Sequence, residues 1–171
     1  MKRFQSRLLL LAGFLLVFPF FLRRRPRVER RVTIMAPPDA IFPFLNDLRQ
    51  WPTWTEWGRR DELEYTYGEP SSGDGAVQRW RNSHLSGELH VIRSESDSRL
   101  DYELRMKECA TIFGRILLQH DGACTRVVWR CVWDRARNPY RRYLDLVYRR
   151  VIARDFQRGL DRLKVLVEQK S

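Results

Sequence analysis

The stretch Val28–Trp57, VERRVTIMAPPDAIFPFLNDLRQWPTWTEW, decides how this chain folds. From Val28 to Met35 it alternates: Val28, Arg30, Val32 and Ile34 fall on one face, Glu29, Arg31, Thr33 and Met35 on the other. A period of two predicts a half-buried strand. Ala36-Pro37-Pro38 interrupts the pattern, and the period then lengthens. Ala40, Ile41, Phe44, Leu45 and Leu48 recur at three-to-four spacing, which predicts a short amphipathic helix from Asp39 to Leu48. Asp39 in its first turn suits the helix dipole. Pro43 removes a helical donor and predicts a bend or a division into two pieces. The stretch closes on an aromatic corner, Trp51-Pro52-Thr53-Trp54-Thr55-Glu56-Trp57. Three tryptophans, each able to bury ~200 Å², carry too much apolar area for a linker. They plug a core or line a pocket.

Downstream, short alternating runs follow one another. Leu63, Tyr65 and Tyr67 alternate with Glu64 and Thr66, and a polar turn runs from Gly68 to Gly75. Ala76, Gln78 and Trp80 share one face of the next run. Gly87, Leu89 and Val91 alternate with Glu88, His90 and Ile92. Leu100, Tyr102, Leu104 and Met106 give the cleanest strand signal, and Ile112, Gly114, Ile116 and Leu118 form another face. Asp121-Gly122 marks a hairpin before Val127, Trp129, Cys131 and Trp133. Strands joined by short turns predict an antiparallel meander with one wet face. After Asn138-Pro139 the period becomes helical. Tyr143, Leu144, Val147, Val151, Ile152, Phe156, Gly159, Leu160, Leu163, Leu166 and Val167 mark the dry stripe of one helix of about 28 residues. Arg149, Arg150, Arg154, Arg158 and Arg162 fall mostly on its other face. Gly159 within that helix predicts a close approach of the sheet or the aromatic corner. The fold class is α+β: a sheet of about seven strands whose dry face meets a long C-terminal helix.

Upstream of the deciding stretch, Leu8 to Leu22 is an unbroken apolar run of fifteen residues, preceded by Phe4. As a helix it spans about 22 Å, short of a ~30 Å hydrocarbon core, and the arginines at both ends can snorkel. No small-residue cleavage site follows it. Residues 1–27 therefore read as an uncleaved N-terminal membrane anchor with basic flanks, touching the membrane through residues 4–22, and residues 28–171 as the domain it carries. Three Lys/Arg precede the run and six follow it, which places the domain on the cytoplasmic side of the cell membrane.

The formal charge of +11 is unevenly spread. Residues 1–31 carry +8, residues 32–134 carry −4 and residues 135–171 carry +7. Basic ends beside an apolar segment suit an anionic membrane surface. No nucleic-acid motif accompanies the charge, so no nucleic-acid partner is expected.

Catalytic chemistry finds little support. Cys109, Cys124 and Cys131 form no CxxC pair, and read as free buried thiols. His84 and His120 fall in predicted turns and His90 on the wet face. None is spaced with a Ser, Cys or carboxylate in a catalytic or metal pattern. Glu88 and His90 share a strand face, and read as two solvated side chains. Asp61, Glu62 and Glu64 are too few oxygen ligands for a hard cation. No catalytic constellation, metal or cofactor is expected.

Taken in order, these pieces resemble the SRPBCC superfamily (START-like, helix-grip fold), and within it the bacterial polyketide cyclase/dehydrase-like proteins. Val32-Thr33-Ile34 leading into Ala36-Pro37-Pro38 carries the likeness, with Ile41-Phe42, Phe44-Leu45-Asn46-Asp47-Leu48 and Trp51-Pro52-x-Trp54-x-x-Trp57. So do Gly73-x-Gly75-Ala76, Trp80, Thr125-Arg126-Val127, Trp129 and Asp155-Phe156-x-x-Gly159-Leu160-x-x-Leu163-Lys164. The resemblance covers about residues 28–168. It implies a helix-grip fold, a curved antiparallel sheet wrapped around the long C-terminal helix with a cavity between them. The family's corner commonly reads W-x-x-W-x-P-W. Here Glu56 takes the proline's place, which puts a carboxylate near the expected cavity mouth.

The expected cavity residues are Phe44, Trp51, Trp54, Trp57, Tyr65, Gln78, Trp80, Tyr102, Leu104, Trp129, Phe156 and Leu160, with Tyr67 and Glu56 as further polar groups. A mostly apolar pocket with few polar groups suits a small hydrophobic ligand or lipid. The leading expectation is a membrane-anchored binding protein for such a ligand. The alternatives are a cyclase- or dehydratase-type enzyme acting on a polyketide-like or aromatic substrate, and a membrane-tethered protein-interaction module using the arginine-rich helix face.

Overall fold

In a computed structural model of the chain, the alternation at Val28 becomes β1 (Arg27–Ile34). The structure describes residue 18 and residues 26–57, 63–84, 86–106, 111–133 and 141–170, without the side chains of 141–146. The anchor expected at Leu8–Leu22 lies outside the described residues apart from Phe18, and Cys109, Asp61 and Glu62 also lie outside them. Among the described residues no helix is long and apolar enough to cross a membrane.

β1 pairs antiparallel with β7 (Cys124–Trp133), the last strand in sequence. Between them lie β2 (Glu64–Tyr67), β3 (Val77–Arg81), β4 (Ser86–Glu95), β5 (Arg99–Met106) and β6 (Ile112–Asp121). The order β1-β7-β6-β5-β4-β3-β2 makes one curved antiparallel sheet of seven strands. β6 and β7 are joined through Gly122-Ala123, with Gly122 at φ 63. Such a mirror-image turn matches the right-handed twist of its flanking strands, and glycine adopts it without strain. His120 continues the β6 ladder opposite Thr125 and is not in a turn, because the alternation runs on to Asp121.

α1 (Pro38–Asn46) begins with proline at a position that needs no N–H. Pro43 stays inside it, and the expected division comes later, at Asp47, where the backbone turns extended before a 3₁₀ turn at Leu48–Gln50. Hydrogen bonding explains the stop. The last carbonyls of a helix need outside donors, and all four have one here. Pro43 O accepts the Asp47 N–H at 3.2 Å and Asn46 O the Gly73 N–H at 3.3 Å. Phe44 O accepts the Trp54 indole N–H at 3.0 Å and Leu45 O that of Trp51 at 2.8 Å. The aromatic corner, α2 (Trp51–Trp54) and the residues just after it, is thus the C-terminal cap of α1.

α3 (Arg141–Glu168) has 28 residues. It lies along β1, and its end is pinned by the Met35 N–H donating to Glu168 Oε1 at 2.8 Å. Ala153, Phe156, Gly159, Leu160, Leu163 and Val167 are its buried face. An α-helix of that length measures ~42 Å and an eight-residue strand ~26 Å, so α3 overhangs the start of β1 by roughly ten residues. This is why residues 147–150 are exposed on every side of the helix. Val147, expected on the dry stripe, is 59% exposed because it stands two and a half turns before Phe156 and so faces away from the sheet. Gly159 behaves as expected: a Cβ there would lie 3.3 Å from the Trp129 ring and 3.4 Å from Trp54 O.

Candidate functional site

Sheet and helix grip each other tightly around Trp129. Its ring stacks on Phe156, centroids 3.7 Å apart and 7° from parallel, and meets Trp54 edge-on at 5.2 Å. Toward the start of α3 the two layers diverge. A cavity of about 370 Å³ opens between them.

Strand alternation supplies most of its floor. Tyr102, Leu104 and Met106 point inward from β5, Gln78 and Trp80 from β3, Ile112 from β6 and Cys131 from β7. Asn82, Leu63 and Tyr65 complete that side. The corner contributes Trp51, Pro52, Thr55 and Trp57, and α3 contributes Tyr148, Val151, Ile152, Asp155 and Phe156. Two glycines let the aromatic walls lie against the sheet. A Cβ on Gly114 would fall 2.0 Å from the Tyr102 ring, and one on Gly87 would fall 2.5 Å from the Trp80 ring. Tyr102 and Gly114 are direct cross-strand partners, as are Trp80 and Gly87. An aromatic ring covering a cross-strand glycine is a recurring device in sheets.

Of the expected residues, Trp51, Trp57, Tyr65, Gln78, Trp80, Tyr102, Leu104 and Phe156 line the cavity. The other four lie elsewhere. Trp54, Trp129 and Leu160 are fully buried in the core behind it. Phe44 lies under the Lys170 ammonium, 4.9 Å from the ring centroid. Two expected polar groups also move. Tyr67 is outside the lining and accepts from Gln78 Nε2 at 3.4 Å. Glu56 does not stand at the mouth: it is ion-paired with Arg162 of α3, whose guanidinium also donates to Thr55 O at 3.3 Å. The carboxylate that replaces the family's proline therefore joins the corner to the long helix. Asp155, Thr55 and Asn82 are polar lining residues that sequence patterning missed. Asp155 sits one position before the stripe residue Phe156, and only the divergence of helix and sheet opens space beside it.

The wall is mostly neutral. Burial pushes the Tyr102 phenol well above its ordinary value, with Cys131 adding to the shift and the hydrogen bond from Trp129 opposing it. Burial pushes the Cys131 thiol up to about 12, so it is no thiolate nucleophile at physiological pH. Tyr65 is raised by burial and then by its neighbour Tyr67, and donates to Trp57 O at 3.1 Å. Cys124 is half-buried, away from the cavity. Among the described residues no cluster of His, Cys, Asp and Glu has the makings of a metal site.

A curved seven-stranded antiparallel sheet closed on a long C-terminal helix, with short helices after the first strand, defines the helix-grip class. Within it, this chain belongs to the polyketide cyclase/dehydrase and lipid transport family, whose profile matches residues 25–168. No curated protein matches it in sequence. Among solved structures it is similar to a protein of Thermus thermophilus, with TM-score 0.66 and 16% identity over 85% of this chain and 99% of that one. It is also similar to a Rhodobacter sphaeroides protein, with TM-score 0.62 and 20% identity over 85% and 93% of the two chains. A third is DynU16, encoded in the dynemicin biosynthetic locus, with TM-score 0.59 and 14% identity over 85% of this chain. This chain spans 48% of that protein's length. Identities this low carry the fold and not the ligand.

Proposed function

We propose that this chain is a membrane-anchored binding protein that holds one small apolar molecule between sheet and helix. The observation that carries the reading is the cavity itself: about 370 Å³, walled by aromatic and aliphatic side chains, with a few polar groups. Ligand sites run from ~300 to ~1,000 Å³. A cavity at the small end suits a single acyl chain or a few fused rings better than a two-chain phospholipid. Gln78 donates both Nε2 protons, to Leu48 O and Tyr67 Oη at 3.4 Å, so its amide oxygen would accept from a ligand hydroxyl, and Asn82 would orient a polar head. The fifteen-residue apolar run at Leu8–Leu22 would hold the domain at the membrane, on the cytoplasmic side by its flanking charges.

Titration of the purified full chain with cis-parinaric acid, and separately with an anthraquinone, tests this. The tryptophans Trp51 and Trp57 in the wall act as energy donors. Saturable transfer at one site per chain supports the reading, and the tighter of the two probes names the ligand class. No saturable transfer to either one contradicts it.

A second reading, cyclase- or dehydratase-type turnover, is favoured by one feature: the Asp155 carboxylate in the lining, on the same cavity as the Tyr65 phenol. A carboxylate and a neutral phenol are the pair that proton abstraction next to a carbonyl and reprotonation of the oxygen would need. Asp155→Asn would then abolish conversion of a poly-β-ketone substrate while leaving its binding intact.

A further inference from the structure

Most arginines on strands β3 to β7 are ion-paired, whereas on α3 Arg162 is paired with Glu56 and others are not. On the sheet, Arg79, Arg81, Arg93, Arg99, Arg105, Arg115 and Arg130 are each ion-paired with a Glu or Asp. On α3, Arg149, Arg154 and Arg158 are exposed and make no ion pair among the described residues. Between positions 147 and 158 the single acidic residue is Asp155, which faces the cavity. The same turns expose apolar area, with Val147 59% and Tyr148 55% accessible. Tyr148 and Val151 are also part of the cavity rim. Arg154 and Arg158 lie on Val147's side of the helix and Arg149 on the opposite side, so cations flank the exposed apolar turns on two sides, which suits an anionic lipid surface.

Chain geometry brings the same end of the domain to the membrane. β1 starts beside the end of β7, where the Trp133 N–H donates to Pro26 O at 3.4 Å. This is the end at which α3 overhangs and Cys131, Ile112 and Met106 line the cavity. The apolar run ends at Leu22, four residues before Pro26. Four residues reach at most ~14 Å, so an anchor at that run would tether the domain by this end.

We infer that α3 from Val147 to Arg158, the last of its overhanging residues and the first turns that pack on the sheet, docks the domain on an anionic bilayer with the cavity mouth turned toward the lipid. Val147 and Tyr148 enter the interface, and Arg149, Arg154 and Arg158 meet lipid phosphates. The ligand then passes between bilayer and cavity without crossing bulk water. This docking serves the binding site proposed above and deepens that reading.

The test uses the full chain, with Cys109 and Cys124 replaced by Ser, reconstituted into phosphatidylcholine vesicles with or without phosphatidylglycerol. A nitroxide at Val147→Cys reports collisions with lipid-dissolved oxygen and with an aqueous nickel complex. A nitroxide at Asp97→Cys, in the β4–β5 turn at the opposite end, is the reference. The expected result is lipid contact at position 147 in the anionic vesicles and water at position 97. A membrane-proximal Arg is worth roughly fivefold in binding, so the triple variant Arg149→Gln, Arg154→Gln, Arg158→Gln should lower the docked-to-undocked ratio by on the order of 100-fold. Lipid contact that survives the triple variant or needs no anionic lipid overturns the inference. A label that stays in water in both vesicles also overturns it, and leaves the cationic face to an acidic protein. Docking requires no ligand, so the cavity-filling variant Leu104→Trp, on the strand across the cavity from α3, should dock as the parent does. Failure to dock and failure to bind ligand are thereby read separately.

Discussion

The indole N–H of Trp129 donates to the phenol oxygen of Tyr102 at 2.8 Å, through the wall between core and cavity. Trp129 belongs to the core and Tyr102 to the cavity lining. Each thereby satisfies the other's polar atom without water. Tyr102→Phe would leave the Trp129 donor buried and unpaired, which costs about 1–3 kcal/mol. The expected outcome is a lower unfolding midpoint for the full chain, with the cavity's size nearly unchanged. A midpoint equal to the parent's would mean that water reaches Trp129, and that the wall is not dry.

Gly114 should not accept a methyl group. Its Cβ would lie 2.0 Å from the Tyr102 ring, which is buried and tethered by Trp129. Overpacking of this kind costs about 1–3 kcal/mol. Gly114→Ala should destabilise the domain and reduce ligand uptake together, because the displaced ring moves into the cavity. Chemical denaturation and a ligand titration on the same variant check both effects.

Stability should fall at high pH. An unfolded cysteine ionises near 9.0 and an unfolded tyrosine near 10.0. In the fold Cys131 is pushed up to about 12 and Tyr102 well above its ordinary value. Between those limits the unfolded chain releases protons that the folded chain keeps. Their contribution is complete below pH 9 and is lost as pH rises toward 12, by up to about 1.4 kcal/mol per pH unit for each group. Denaturation midpoints at about pH 8 and about pH 10.5 measure the fall. Cys131→Ala should make it shallower, and an unchanged slope would show that the thiol is not buried. Below about pH 8 Cys131 should also resist alkylation, while half-buried Cys124 reacts.

The Glu56–Arg162 pair predicts an asymmetry. Arg162 serves the carboxylate and also the carbonyls of Trp54 and Thr55, whereas Glu56 serves only the arginine. Both side chains are less than a third exposed and Glu56 Oε1 is fully buried, so the pair is not a screened surface bridge. Glu56→Gln keeps an acceptor for the guanidinium and should cost about 1–2 kcal/mol. Arg162→Met should cost more, about 3 kcal/mol, because it leaves a buried carboxylate uncompensated and carbonyls at the end of α2 without a donor. Thermal unfolding of the two variants and the double variant measures the coupling.

How far the sequence was legible depended on what each residue had to reveal. Alternation at Val28–Met35 and Leu100–Met106 located strands because a sheet with one dry face imposes a period of two. The stripe from Phe156 to Val167 located the closing helix for the matching reason. Periodicity reports which face is dry, not whether a second layer lies against it. Trp51 and Trp54 are three residues apart and both buried, yet one borders space and the other borders Trp129 and Gly159. No local pattern separates them. Val147 failed differently: it stands two and a half turns before Phe156 and faces away from the sheet, so the stripe was extended toward the start of α3 out of phase. Glu56 was read by its neighbours in sequence, while its partner stands more than a hundred residues away. The glycines at inward positions of β4 and β6 were the one overlooked signal, since an inward glycine in a strand marks the close approach of something large.

Native mass spectrometry of the full chain, released from detergent micelles, is the sharpest test of ligand binding. One adduct per chain is expected, with the mass of a single acyl chain or a small fused-ring compound. Ile152→Trp, which fills the cavity, should reduce that adduct at least tenfold. A bare mass that persists after incubation with a membrane extract, or an adduct that Ile152→Trp leaves untouched, would refute the binding reading.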